Sequence, residues 1–182
     1  MEAAQVVALV GFVAAAAAVA VGAQRAGLLL HRTRVAEGFR GQVADLARRV
    51  ERSLGELSSL IDGVRRRDAE PESIKANLEA AYDAVERYAA EARALGGPAS
   101  AADHRQAIVA ELERAGRAIE LVQHGAALHA AAFRRERGPE ADTAIKRGYL
   151  NLIHARESIA EHAVAAGREA EEASPVRRWG RR

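Results

Sequence analysis

The residues of this 182-residue chain whose types and spacing could do chemistry are His104, Glu111, Arg156 and His162. Projected as helices at about 100° per residue, His104, Glu111 and His129 fall near the apolar seam of one segment, and Arg156 falls within the seam of the next. Charged side chains rarely sit in a core without partners, so these placements need an explanation. Folding the last two segments about Gly138 brings Glu111 level with His162 and Ala163. A Glu111–His162 contact there would make a small polar pocket, or half of a carboxylate–histidine metal site. The plainer account is a side chain that snorkels to water, or one satisfied interhelical hydrogen bond. Di-iron bundles need Glu-x-x-His on two helices, and that tetrad is absent from the sequence. Its nearest approximation, Glu120 with His124, projects toward the charged face. His104, Glu111, Arg156 and His162 therefore stand as candidate cofactor-binding positions, with no metal, cofactor or catalytic residue assigned.

One nuclease-like pattern also appears. Helical-bundle ribonucleases of the HEPN type carry an arginine and a histidine with four to six residues between them, and Arg147 through His154 resembles this. So do Arg156 with His162, Arg117 with His124, and Arg25 with His31. Only Lys75 and Lys146 are lysines among the 27 basic residues, so arginine is abundant enough to match most histidines by accident. The expectation is a chain that is not an enzyme.

The elements that must position these residues begin with an apolar run. Residues 6–23 contain no charged or strongly polar side chain, which approaches the roughly 20 residues a helix needs to cross the hydrocarbon core. Val6, Val7, Leu9, Val10, Phe12, Val13, Val19 and Val21 favour insertion by about 2 to 5 kcal/mol together. Arg25, Arg32 and Arg34 on one flank, against Glu2 on the other, orient the segment with a short N-terminus outside and the rest in the cytoplasm. Two rivals exist, a signal peptide cleaved near Ala18-Val19-Ala20 and a buried alanine helix. The first lacks the basic start such signals carry. Ala14, Ala18 and Gly22 form a small-residue face by which two anchors could pair.

Composition bounds the remainder. The chain has no cysteine, which excludes disulfides and thiolate metal sites. Aromatics make up 4 % of the residues while Ala, Leu, Arg and Glu dominate, a mixture that favours helices. A formal net charge of +2 is too small to argue for nucleic acid.

Punctuation by Pro71, Gly96-Gly97-Pro98, Gly138-Pro139 and Ser174-Pro175 divides the body into helices at 24–67, 71–95, 100–136 and 139–173. Ser100 with Asp103 reads as a capping box for the third, and Gly38 with Gly41 as a bend in the first. Each segment carries a heptad-like stripe. The first runs from Phe39 through Val43, Leu46, Val50, Leu54, Leu57 and Ile61 to Val64. The second is Ile74, Leu78, Ala81, Val85, Tyr88, Ala92 and Leu95. The third is Ile108, Leu112, Ala115, Ile119, Val122, Ala126 and Phe133, with a further strip through Leu121, Gly125, Leu128 and Ala132. The fourth is Ile145, Gly148, Leu152, Ile159, Ala163 and Ala166.

Short connections make consecutive helices antiparallel. The expected fold is all-α: one N-terminal transmembrane helix followed by an up-down antiparallel bundle of about four helices with coiled-coil-like seams. The parts are an anchor at 1–24, a basic juxtamembrane segment at 25–41, a cytoplasmic bundle at 42–173 and a basic tail at 174–182. In the tail Arg177, Arg178, Arg181 and Arg182 surround Trp179, a combination suited to an anionic membrane surface. The layout is similar to that of the b subunit of the ATP synthase stalk. That family runs as one nearly unbroken helix, whereas Gly96-Gly97-Pro98 and Gly138-Pro139 interrupt this chain, and no family is assigned.

The function these features favour is a membrane-anchored scaffold or adaptor that binds another protein or, through anchor or bundle, a second copy of itself. The alternative is a small-molecule or metal-binding sensor bundle built on His104, Glu111, Arg156 and His162.

Overall fold

The computed structural model describes residues 2–130 and 134–173, with side chains described for Gln24, 33–130 and 138–173. The elements are α1 (Glu2–Arg65), α2 (Lys75–Ala94), α3 (Ala102–Ala130) and α4 (Arg134–Glu172), with single 3-10 turns at Pro71–Ile74 and Ala99–Ala101 leading into α2 and α3. Among the described residues there is no strand.

The heptad-like stripes become the core. Every residue of the α1 stripe from Phe39 to Val64 is buried, as are Ile74, Leu78, Val85 and Ala92 of the second segment, Ile108 to Val122 of the third, and Ile145, Leu152, Ile159 and Ala166 of the fourth. Tyr88 is half-buried at the edge, and Phe133 and Ala132 lie outside the described residues. Burial at alternating spacings of three and four is what makes these segments helices: the charged opposite faces remain in water while the stripes remove one another from it.

Cross-helix contacts give the topology. Arg40 pairs with Glu171 at 3.4 Å and Glu51 with Arg156 at 3.5 Å, so α1 and α4 run antiparallel. Arg93 reaches Glu113 at 2.6 Å between α2 and α3, and Arg49 pairs with Glu91 between α1 and α2. Each helix packs on the next and α4 closes on α1. The result is an up-down bundle with two ends: an entry end, where α1 enters at Phe39, and a far end near Arg67.

Glycines mark the closest approaches. A Cβ on Gly148 would stand 2.5 Å from Val122 and 2.8 Å from the Ala118 carbonyl oxygen, and one on Gly125 would stand 2.7 Å from Ile145 and 2.9 Å from the Ala141 carbonyl oxygen. Backbone therefore meets backbone between α3 and α4. At the entry end Gly97 lies under the Phe39 ring, where a Cβ would come within 2.5 Å.

Several boundaries differ from the expectation. The first helix starts at Glu2 rather than at 24 and continues through Gly38 and Gly41 without interruption. Gly138-Pro139 does not separate the last two helices. Pro139 sits inside α4 as its sixth residue, where it withdraws one backbone donor near the helix start. A proline so close to the first turn, whose donors have no intrahelical partner anyway, removes few bonds. α3 is described to Ala130 and α4 from Arg134, and residues 131–133 lie outside the described residues. Ser100 is no N-cap either: it lies within the turn Ala99–Ala101, which follows Pro98 and has no side-chain cap. At the end of α1, Asp68 N–H bonds the Gly63 carbonyl and Arg67 N–H bonds the Val64 carbonyl, a Schellman closure. Arg67 occupies its left-handed position at φ 67°, which glycine would fill without a Cβ penalty.

Among the described residues no helix is long and apolar enough to cross a membrane. The side chains of the run 6–23, with Arg25, Arg32, Arg177, Arg178, Trp179, Arg181 and Arg182, lie outside the described residues, and Arg34 is exposed on α1. The anchor therefore rests on its sequence.

Candidate functional site

Of the four candidate residues, the fold brings two together. His104, third residue of α3, and His162, on α4, face each other with their Nδ1 atoms 3.1 Å apart. The ring centroids are 5.4 Å apart, farther than the nitrogens by two ring radii laid end to end. The two Nδ1 axes thus lie nearly on one line, the geometry of an N–H···N hydrogen bond. Two nitrogens bound to one metal ion at about 2.0–2.1 Å would instead converge at a bent angle. One proton must occupy the gap, because two bare lone pairs would repel.

Glu169 completes the cluster. Its Oε1 stands 3.5 Å from His104 Nε2, while its Oε2 is buried with no hydrogen-bond partner. A carboxylate beside Nε2 favours a proton on that nitrogen. With His104 protonated at Nε2 and neutral, its Nδ1 accepts and His162 Nδ1–H donates. Glu169 went unassigned in the sequence, although it lies seven residues after His162, two helical turns along the same face.

The expected Glu111–His162 contact does not form. Glu111 is held by Arg114 on its own helix at 3.3 Å. Because Gly138 and Pro139 lie inside α4, the helices do not fold about Gly138, and antiparallel pairing doubles any such displacement in level. His162 consequently meets His104, seven residues before Glu111. Arg156 leaves the seam toward α1, with Nε 3.5 Å from Glu51 and its guanidinium over Gly55, the snorkelling the plainer account describes. His129 pairs with Asp142 at 3.0 Å at the far end. Among the described residues no group of three or more His, Cys, Asp or Glu side chains, the His104–His162–Glu169 cluster included, is arranged so that it could hold a metal ion.

A second feature is a groove of about 850 Å³ on the outside of α1 and α4. Its floor is made of small residues, among them Gly41, Ala44, Ala160 and Gly167, and Val164 stands 65 % exposed beside it. Glu37, Arg48, Glu51 and Arg168 line its edges with both signs of charge. Nearby, the Arg48 and Arg49 guanidiniums hydrogen-bonded to Asp45 hold its carboxyl below the usual range. On α2 the Glu120 carboxylate facing Tyr82 raises the phenol.

No protein-family model, curated protein or solved structure matches the chain.

Proposed function

We propose that this protein is a membrane-anchored helical scaffold whose bundle engages a protein partner or a second copy of the chain. The observation that supports this reading is the continuity of α1, one helix from Glu2 to Arg65. Its first third bears the apolar run and its last half supplies the core stripe of the bundle. An apolar segment held on the same rigid rod as a folded bundle suits a protein that fixes its domain at a defined place on a membrane.

The tail reading fits the same layout. The end of α4 lies at the entry end, since Glu171 pairs with Arg40, so residues 174–182 follow on the side of the bundle from which the apolar run projects, roughly 25 Å of helix beyond Arg40. Arg177, Arg178, Arg181 and Arg182 with Trp179 would then meet anionic lipid, at about 1 kcal/mol per basic residue near the surface.

Reporter fusions after Arg182 test the placement. A reporter active only in the cytoplasm is expected to work and one active only after export to stay silent, with the full chain in the membrane fraction. Recovery of the full chain in the soluble fraction, or activity of the exported reporter, overturns the reading.

A further inference from the structure

We propose that His104 and His162 form a proton-counting staple between α3 and α4: one shared proton holds the entry end of the bundle closed, and a second charged ring opens it.

The argument starts from the in-line contact. The 3.1 Å gap between the two Nδ1 atoms has room for one N–H. In the neutral pair His162 donates and His104 accepts. A first extra proton can go to the outward Nε2 of His162, which leaves the shared N–H in place and makes the bond charge-assisted. A second must go to His104 Nδ1, and two N–H groups then point at each other at hydrogen-bond distance. The bond is replaced by repulsion between two cations. Once the first proton is on, an open pair can take a second and a closed pair cannot, so by linkage the closed state loses ground as pH falls through that second protonation.

The surroundings restrict the response to this pair. Glu169 on α4 is the carboxylate within reach of His104, and one carboxylate cannot neutralise two imidazolium rings. Beside His104 on α3 stand Asp103, which is exposed, and Arg105, whose guanidinium is turned away to the Leu95 carbonyl at 2.7 Å. Glu161, next to His162, is exposed. On α1, Arg40 is engaged by Glu171, and on α2, Arg93 is engaged by Glu113. The turn Ala99–Ala101, which packs on α4, carries no titratable side chain. His104 also lies in the first turn of α3, whose positive dipole end opposes an added cation there.

Position gives the staple its effect. The glycine contacts that lock α3 to α4 lie toward the far end, at Gly125 and Gly148. Toward the entry end the two histidines join the same helices across 58 residues of sequence. Parting them would splay the bundle where α1 enters, while the far end stays clamped.

Hydrogen exchange on the full chain in nanodiscs of neutral lipid tests this. Between about pH 7.5 and pH 5, across the ordinary imidazole range, amides of 104–108 and 159–166 should gain at least about tenfold in opening, after correction for intrinsic exchange, relative to amides of 118–126. His162→Gln should abolish that pH-dependent gain, whereas His129→Gln should retain it. A merely structural histidine would shift protection equally at both pH values. Should the variant fold poorly, nitrogen NMR of histidine-labelled wild type decides: one protonated and one bare Nδ1 in the pair at high pH, and both protonated at low pH. Two bare Nδ1 atoms at high pH, or a pH-dependent gain unchanged in His162→Gln, overturns the proposal.

Discussion

Helix α4 has two neighbours and treats them differently. Against α3 it brings Gly148 so close that a single Cβ would collide with Val122 and the Ala118 carbonyl. Against α1 it leaves a groove floored by Ala160 and Gly167, and a Cβ on Gly167 would meet nothing within 4 Å. Small residues line both interfaces, so residue size alone does not determine approach. On the α3 side glycine and alanine on one helix face carbonyls and β-branched side chains on the other, and dispersion rewards the contact. On the α1 side Arg156 and Glu51 meet across the two helices with long side chains, and the small residues beside them line an outer groove. The same small-residue chemistry is a clasp in one place and a vacant floor in the other.

Four substitutions break or sharpen that contrast. The largest effect is expected for Leu152→Asp. Leu152 is fully buried, and an unpaired carboxylate there costs about 4 kcal/mol or more, a large part of a domain's total stability. Loss of the helical signal at room temperature in circular dichroism would show it, and a melting midpoint near that of wild type would refute the seam. Next comes Gly148→Ala. The added methyl gains up to about 1 kcal/mol of helix propensity but forces the α3 backbone away, at about 1–3 kcal/mol, so the net effect is destabilising. Gly167→Ala carries out the same chemical change on the same helix and should stabilise by about 0.5–1 kcal/mol, because nothing stands in its way. Equal shifts in the denaturation midpoints of these two variants would erase the distinction between the interfaces.

The smallest effect concerns the α1 side. Asp45 has its carboxyl depressed first of all by its hydrogen bond from Arg48, then by Arg49. A depressed carboxylate contributes stability that is present above its unfolded value, near 4, and lost as pH falls through the folded one. Asp45→Asn should therefore lower the melting midpoint slightly at neutral pH and by less as the pH falls below the ordinary carboxylate range. A larger loss in acid than at neutrality would reverse the sign.

Much of the core could be read from spacing. The α1 stripe from Phe39 to Val64 is buried residue for residue, and Pro71 opens a helical turn as its fixed φ suggests. What could not be read was register. Gly138-Pro139 has the composition of a break, yet α4 absorbs it, and the helix pair is indexed instead by Gly125 and Gly148, whose importance shows only when both partners are in view. The error passed directly to the site. His104, Glu111 and His162 all fall near the α3–α4 seam, but the level at which the helices pair brings His104, and not Glu111, to His162. Periodicity determines the face, whereas the level along the axis depends on tertiary contacts.

The uninterrupted run of α1 has one more consequence, and it concerns angle. A helix of 64 residues is about 96 Å long, and it links its two ends in rotation as well as in distance, each residue contributing about 100°. Phe39 and Val43 fix the azimuth of α1 inside the bundle, and that azimuth is imposed on every turn back to Glu2. Inserting one residue after Arg34 would swing the face presented by residues 6–23 through about 100° while leaving the bundle untouched. Insertion of seven residues, close to two whole turns, would lengthen the rod and nearly restore the face. Phase, more than reach, is the quantity that an insertion series across this segment would measure.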